Sequence, residues 1–253
     1  MKACVFLGPS LPAADASAIL DAVYLPPARQ GDVYRAVRDR APDRIGLIDG
    51  FFEQVPAVWH KEILFALKQG VQVYGASSMG ALRAAELEQF GMIGVGRIFD
   101  AYSTGSFPPF DDPFEDDDEV AVAHGPSELA YVGSDAMVDI RATLAAAERQ
   151  GVIDRACRDR LAELAKGLFY KDRSYDNLTR MARNLSELEP WIPRFEDWLP
   201  EGRVSQKRQD AEALLTRLAQ EIDEPAPPAF RLEVTTVWDA ALRAMNKTSS
   251  GPA

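Results

Sequence analysis

Two cysteines and two histidines in 253 residues leave this chain little soft-ligand chemistry. Cys4 and Cys157 cannot build a disulfide framework, and a reduced, cytoplasmic setting is expected. His60 and His124 have no second His or Cys at ligand spacing, which argues against a zinc site. Nor does the Ser…Asp…His order of an α/β-hydrolase follow downstream. No apolar run reaches membrane-spanning length, and the apolar part of Met1–Pro9 is too short for an export signal. Basic residues number 28 against 39 acidic ones, a formal charge of −11 that disfavours nucleic acid and suits a basic protein or peptide partner better. There is no Gly-x-x-x-x-Gly-Lys-Ser/Thr loop and no Gly-x-Gly-x-x-Gly fingerprint, since Gly91–Gly96 has the wrong spacing; no nucleotide or other cofactor is indicated. The acidic run Glu115–Glu119 lacks the ligand alternation and glycine of a calcium loop, so no metal is expected there. It reads as a solvated or partner-facing loop.

What is present is an α/β pattern. Strands are expected at Ala3–Leu7, Val23–Leu25, Arg44–Ile48 and Val71–Tyr74, alternating with helices at Ala13–Leu20, Asp32–Arg40, Ala57–Gln69 and Met79–Phe90. Such alternation predicts a parallel sheet flanked by helices, with ligands beyond the carboxyl ends of its strands. Three loops fall there: Gly8-Pro9-Ser10, Asp49–Phe52 and Gly75–Ser78. After a Pro/Phe/Asp-rich connection, Val120–His124 reads as one more strand. The remainder is mainly helical, at Met137–Arg149, Ile153–Lys166, Tyr175–Asn184, Gln206–Ile222 and Val237–Met245. The expected organisation is an α/β core over 1–130, a helical region over 131–245 and a disordered tail over 246–253.

The segment Val71–Gly80, running into Ala81–Leu87, is the most informative stretch. A β-branched strand passes through a Gly/Ala/Ser turn into an Ala/Leu-rich helix, placing Ser77 and Ser78 at a helix N-terminus. The backbone N–H groups of Met79 and Gly80 then face an oxyanion or other anion. Ala76-Ser77-Ser78-Met79-Gly80 has the small-x-Ser-x-small form of a nucleophile elbow centred on Ser78, although a serine that merely caps the helix fits the same letters. Lys61 lies on a helix that is apolar nearly all round. Burial that lowers its pKa by about 3 units, about 4 to 5 kcal/mol of differential solvation, makes it a base near neutral pH; a lysine snorkelling over the helix surface is the plainer alternative. Arg83 and Glu86, three residues apart, read as an ion pair.

In combination, Gly8–Leu11, Pro26–Asp32, Ile48–Phe51, His60–Leu64, Gly75–Leu87, Phe90–Met92 and Asp117–Val120 resemble the TfuA-like family over residues 1–145. The resemblance implies an accessory protein of YcaO-dependent peptide backbone thioamidation, in which an amide oxygen is replaced by sulfur. Its implied task is to hydrolyse the C-terminal thiocarboxylate of a ThiS-like, ubiquitin-fold sulfur carrier and release sulfide beside the ATP-dependent YcaO enzyme, which holds the peptide. A Ser–Lys pair is implied, and it falls on Ser78 or Ser77 with Lys61. Glu62 or His60 are alternative bases. Asp49, Gly50, Gly75, Arg83, Glu86 and Arg29 are expected to support the site or bind the carrier. The competing expectation is a non-catalytic adaptor that docks the carrier and YcaO; a buried lysine beside the serine would tell the two apart. A generic small-molecule esterase fits less well.

Overall fold

The computed structural model describes residues 2–51, 53, 55–123, 125, 133–220, 229–233 and 235–247. Five parallel strands form one sheet in the order β2-β1-β3-β4-β5. They are β1 (Ala3–Phe6), β2 (Val23–Leu25), β3 (Arg44–Leu47), β4 (Gln72–Ala76) and β5 (Ile93–Val95). Helices α1 (Ala13–Ile19), α2 (Asp32–Arg40), α3 (His60–Lys68) and α4 (Met79–Leu87) make the crossovers, and α5 (Arg97–Thr104) follows β5. This is the expected α/β class. In this doubly wound order the chain departs from β1 in opposite directions, so the loops after β1 and β3 diverge and open a crevice at the carboxyl edge.

Both faces of the sheet are covered, which is why its central strands are buried on every residue. Phe6, Ile45, Leu47 and Val73 pack on α2, α3 and α4. Val5, Leu7, Tyr74 and Ala76 face α1 and α10 (Gln206–Ala219). Gly46 leaves room for α10, since a Cβ there would sit 2.9 Å from Leu218 Cδ1. Arg44 is buried at the start of β3 and donates to the carbonyls of Leu218 at 2.6 Å and Gln220 at 2.8 Å, a cation placed where the helix dipole favours one. Thus α10, within the helical region expected over 131–245, packs directly on the sheet.

The other helices, α6 (Met137–Arg149), α7 (Arg155–Lys166), α8 (Tyr175–Ala182) and α9 (Ile192–Gly202), enclose a core of their own with Phe107, Phe114, Leu144, Leu161 and Phe195 at its centre. The last helix, α11 (Thr236–Lys247), lays Trp238 and Met245 against Tyr34, Trp59 and Phe65. No described helix is long and apolar enough to cross a membrane.

Several elements depart from expectation. β5 has three residues between Gly91 and Gly96, too few and too glycine-rich to show a period; pairing to β4 makes it a strand. α9 was hidden by Pro193, which sits in its first turn where a missing N–H is tolerated, and by Pro200, which lies inside the helix and costs it one backbone bond. α3 begins at His60 rather than Ala57, because Ala57 bridges to Arg29 and Trp59 is the N-cap. Val120–Ala123 is not a strand: the N–H groups of Val120 and Ala121 both turn back to the Asp117 carbonyl. His124, Phe52 and residues 248–253 lie outside the described residues.

The acidic run is also not a solvated loop throughout. Glu115, Asp116 and Asp117 are exposed, but Glu119 is fully buried and accepts from Arg141 Nε, Arg141 Nη2 and Lys166 Nζ, each at 2.9 Å. Asp118 binds Arg173 Nη2 at 2.9 Å and Lys166 at 3.1 Å. The compensating cations lie 22 to 55 residues away, beyond any sequence window. Glu119→Ala takes a buried partner from both Arg141 and Lys166, which keep Asp112 and Asp118, and a loss of about 1–3 kcal/mol is expected in urea unfolding.

Candidate functional site

At the divergence of the β1 and β3 loops, three turns meet around one carboxylate. Asp49, 1 % exposed, accepts the N–H of Gly8 at 2.8 Å and of Ser10 at 3.1 Å on one oxygen, and the Ser10 hydroxyl at 2.7 Å on the other. The Ser10 hydroxyl in turn accepts from Ser77 Oγ at 2.9 Å. These bonds fix the turn after β4 against the turn after β1.

The serine turn is tighter than a plain helix cap. Ser78 N–H bonds back to the Ala76 carbonyl at 2.8 Å across Ser77, whose φ is +68°. An i to i+2 bond around a positive-φ residue is a strained γ-turn, and such strain gathers at functional sites. Ser77 is fully buried with its hydroxyl spent on Ser10, so the two serines divide their tasks: Ser77 holds the turn and Ser78 is presented. Gly80 lets α4 close on β3. A Cβ on it would lie 1.7 Å from the Leu47 carbonyl oxygen, and one on Gly75 would lie 2.1 Å from the Gly80 oxygen. Gly80→Ala therefore cannot be absorbed by side-chain movement. It is expected to destabilise the fold by about 3 kcal/mol or more, seen as a drop of about 6–12 °C in Tm.

Ser78 lines a cavity of about 260 Å³ together with Pro9, Asp49, Gly50, Phe51, Val120, Tyr170 and Lys171. Its hydroxyl makes no cap bond, yet no buried side-chain oxygen or nitrogen lacks a partner among the described residues; the hydroxyl therefore opens onto the cavity. The N–H of Gly80 is not available to a ligand, because it donates to the Ile48 carbonyl at 3.2 Å. Of the two anion-holding amides expected at the helix start, only that of Met79 is uncommitted among the described residues.

Behind the cavity wall stands a buried cation that the sequence reading did not single out. Lys207, in the first turn of α10 and 3 % exposed, donates from Nζ to the carbonyl of Val120, on the cavity wall, at 2.8 Å. Its backbone N–H is held by Asp139 at 3.0 Å, and Asp139 also accepts from Ser205 Oγ at 3.0 Å. Burial pushes the Lys207 ammonium below the ordinary lysine range, against the opposing charges of Asp49 and Asp139. A signal was present: Lys207 heads the stripe Lys207, Ala211, Leu214, Leu218, whose period is that of a buried helix face.

Lys61 stands apart from this group. Its ammonium donates to the Glu233 carbonyl at 3.2 Å and Thr235 Oγ1 at 2.9 Å, fastening the segment before α11. Glu62 is not free to act as a base, since it takes the N–H groups of Gly31, Val33, Tyr34 and Trp59 at 2.8–3.3 Å and ties α2 to α3. His60 and Arg83 share the Glu86 carboxylate at 2.8 and 2.7 Å, the ion pair expected for Arg83 and Glu86. Arg29 is exposed and lies 3.8 Å from Asp32. The structure thus joins Asp49, Gly50, Ser77, Ser78 and Met79, with Gly75 and Gly80 shaping the turn. Lys61, Arg29, Arg83 and Glu86 are engaged elsewhere.

Residues 49–174 match the family model described as TfuA-like protein. The chain belongs to the TfuA-like family. The matched region opens at Asp49 and carries Ser78, Tyr170 and Lys171, so it spans three sides of the cavity and reaches into the helical half; Lys207 lies beyond it. Membership supports an accessory role in thioamidation. No curated protein matches the chain in sequence.

Proposed function

We propose that this TfuA-like protein hydrolyses the C-terminal thiocarboxylate of a ThiS-type sulfur carrier, releasing sulfide for a YcaO-type enzyme, with Ser78 as nucleophile and Lys207 as base. One pair of observations carries the reading: an uncommitted serine hydroxyl opens on the small cavity, and a buried, pKa-depressed lysine from the far end of the chain stands behind its wall, bonded to the Val120 carbonyl and feeling the charge of Asp49.

Neutral Lys207 takes the Ser78 proton, directly or through one water, as Ser78 Oγ attacks the carbonyl carbon. The developing oxyanion is met by the Met79 N–H at the start of α4, a donor fixed before the reaction begins. Collapse breaks the C–S bond, and the sulfur leaves as hydrosulfide with the proton held by Lys207. Water then attacks the acyl ester, Lys207 again accepting a proton. In sum, R–COS⁻ and water give R–COO⁻ and H₂S. Asp49 touches no reacting atom in this scheme; through Ser10 and Ser77 it sets the angle at which Ser78 is offered.

The test is intact-mass spectrometry of a thiocarboxylated ThiS-type carrier incubated with the protein, with sulfide followed in parallel. Conversion of thiocarboxylate to carboxylate by catalytic amounts is expected. Absence of conversion, with carrier or YcaO-type enzyme still bound, would make the protein an adaptor.

A further inference from the structure

The rim of the cavity carries a feature that hydrolysis alone does not use. Glu53, in the segment between β3 and α3, receives two donors on one oxygen: the Tyr170 hydroxyl at 2.7 Å and Lys171 Nζ at 3.0 Å. Both donors line the cavity beside Ser78, whereas Glu53 does not. Among the described lining residues, Lys171 is the one cation. The hydrogen bond from Tyr170 and that from Lys171 hold the Glu53 carboxyl below the usual range. Glu53 reaches them from a left-handed backbone, φ +57°, which a residue with a side chain adopts only under constraint. The Phe169 and Tyr170 rings lie 5.5 and 5.2 Å from the Lys171 ammonium and help fix its place.

Thioacids are stronger acids than carboxylic acids, so a carrier tail ending in a thiocarboxylate is an anion at neutral pH. In this cavity it approaches Asp49, which repels it. A cation with a neighbouring hydroxyl donor is what such a tail needs, and here that pair already grips a carboxylate of the protein itself. We propose that Tyr170 and Lys171 recognise the anionic end of the carrier tail, and that Glu53 occupies their place until the tail displaces it. This rests on the reading of the tail as substrate. Displacement frees the strained residue, and the cation then sits beside the sulfur that departs.

The rival role for Glu53 is a latch that pins the β3–α3 segment to the helical half. The two roles predict opposite signs. Binding is measured by fluorescence anisotropy with a ThiS-type carrier ending in a carboxylate and with the same carrier amide-capped. The wild type is expected to favour the carboxylate form about tenfold, the worth of one charge-assisted hydrogen bond. Lys171→Met should abolish that preference while leaving amide-capped binding unchanged. Glu53→Gln, which keeps the shape but removes the competing charge, should tighten the carboxylate form alone. No carboxylate preference in the wild type, equal loss of both carriers in Lys171→Met, or weaker binding in Glu53→Gln would each overturn the proposal. Binding needs no turnover, so a wild type that prefers the carboxylate through Lys171 yet releases no sulfide would retire hydrolysis and keep the anion site.

Discussion

Ser78→Ala is expected to lower kcat/KM for thiocarboxylate hydrolysis by about 10³-fold or more while leaving Tm and carrier binding close to wild type. The two halves of that result come from different observations. Activity falls because the oxygen that attacks is gone. Stability holds because the Ser78 hydroxyl makes no cap bond and faces the cavity, so alanine breaks nothing that holds the turn. Ser77→Ala should behave the other way round: it deletes the bond to Ser10, costing about 1 kcal/mol, and lowers turnover only through the misplaced turn. Stopped-assay sulfide release and differential scanning fluorimetry on both variants separate the cases. Activity within tenfold of wild type in Ser78→Ala, with Ser77→Ala inactive, would move the nucleophile back one residue.

The second large effect is expected at Lys207. Lys207→Met replaces a buried ionisable chain by an apolar one of similar length, and kcat should fall by about 10²–10⁴-fold, the usual worth of a positioned base. Lys207→Arg should not rescue, because guanidinium does not give up its proton. Lys61→Ala should leave turnover within about twofold, its bonds being to the segment before α11. The pH dependence carries a sign that can be worked out. On the proposed mechanism the neutral amine is the active form, and burial lowers its pKa from 10.5, so wild-type kcat/KM is expected to rise with pH along a limb lying below the ordinary lysine range. Lys207→Met should lack that limb. A depressed lysine pKa also means that protonation disfavours the folded state, a penalty present at low pH that fades as pH climbs through the folded pKa toward the unfolded value. Lys207→Met should therefore stabilise the protein most below the folded-state pKa of the lysine and least as pH approaches the ordinary lysine value. A wild-type limb that survives unchanged in Lys207→Met would remove lysine 207 from the chemistry.

Much of this arrangement was legible in the residues. The strand-turn-helix reading of Val71–Leu87 holds, and so does the convergence of the Gly8, Asp49 and Gly75 loops, because both depend on local period and glycine placement, which a short window contains. What escaped depends on distance. The partners of Glu119 and Asp118 are fixed by the packing of α6, α7 and the turn before α8, so a run of five acids gives no hint of which are buried. The same holds for the lysines. Lys61 sits on an apolar helix and invited the expectation of burial, but its ammonium reaches the chain near Thr235. Lys207 sits in the polar run Gln206–Gln209, and only docking of α10 on the sheet turns it inward. Hydrophobic period shows that a helix has a buried face; it does not show against which loop that face will lie.

The cavity takes one side from the turn after β4, another from the wall at Val120 and a third from Tyr170 and Lys171, and the first turn of α10 places Lys207, the proposed base, behind the Val120 wall. This gives the chemistry an order in time. A chain emerging from the ribosome displays Ser78 well before residue 207 exists, and for that interval the nucleophile has no proton acceptor. On the proposed mechanism, a carrier that meets an unfinished or partly unfolded copy keeps its sulfur. With Lys207 as the base, sulfide is set free only by a molecule whose last sheet-covering helix has docked, so completion of the fold is itself the safety catch on a toxic product.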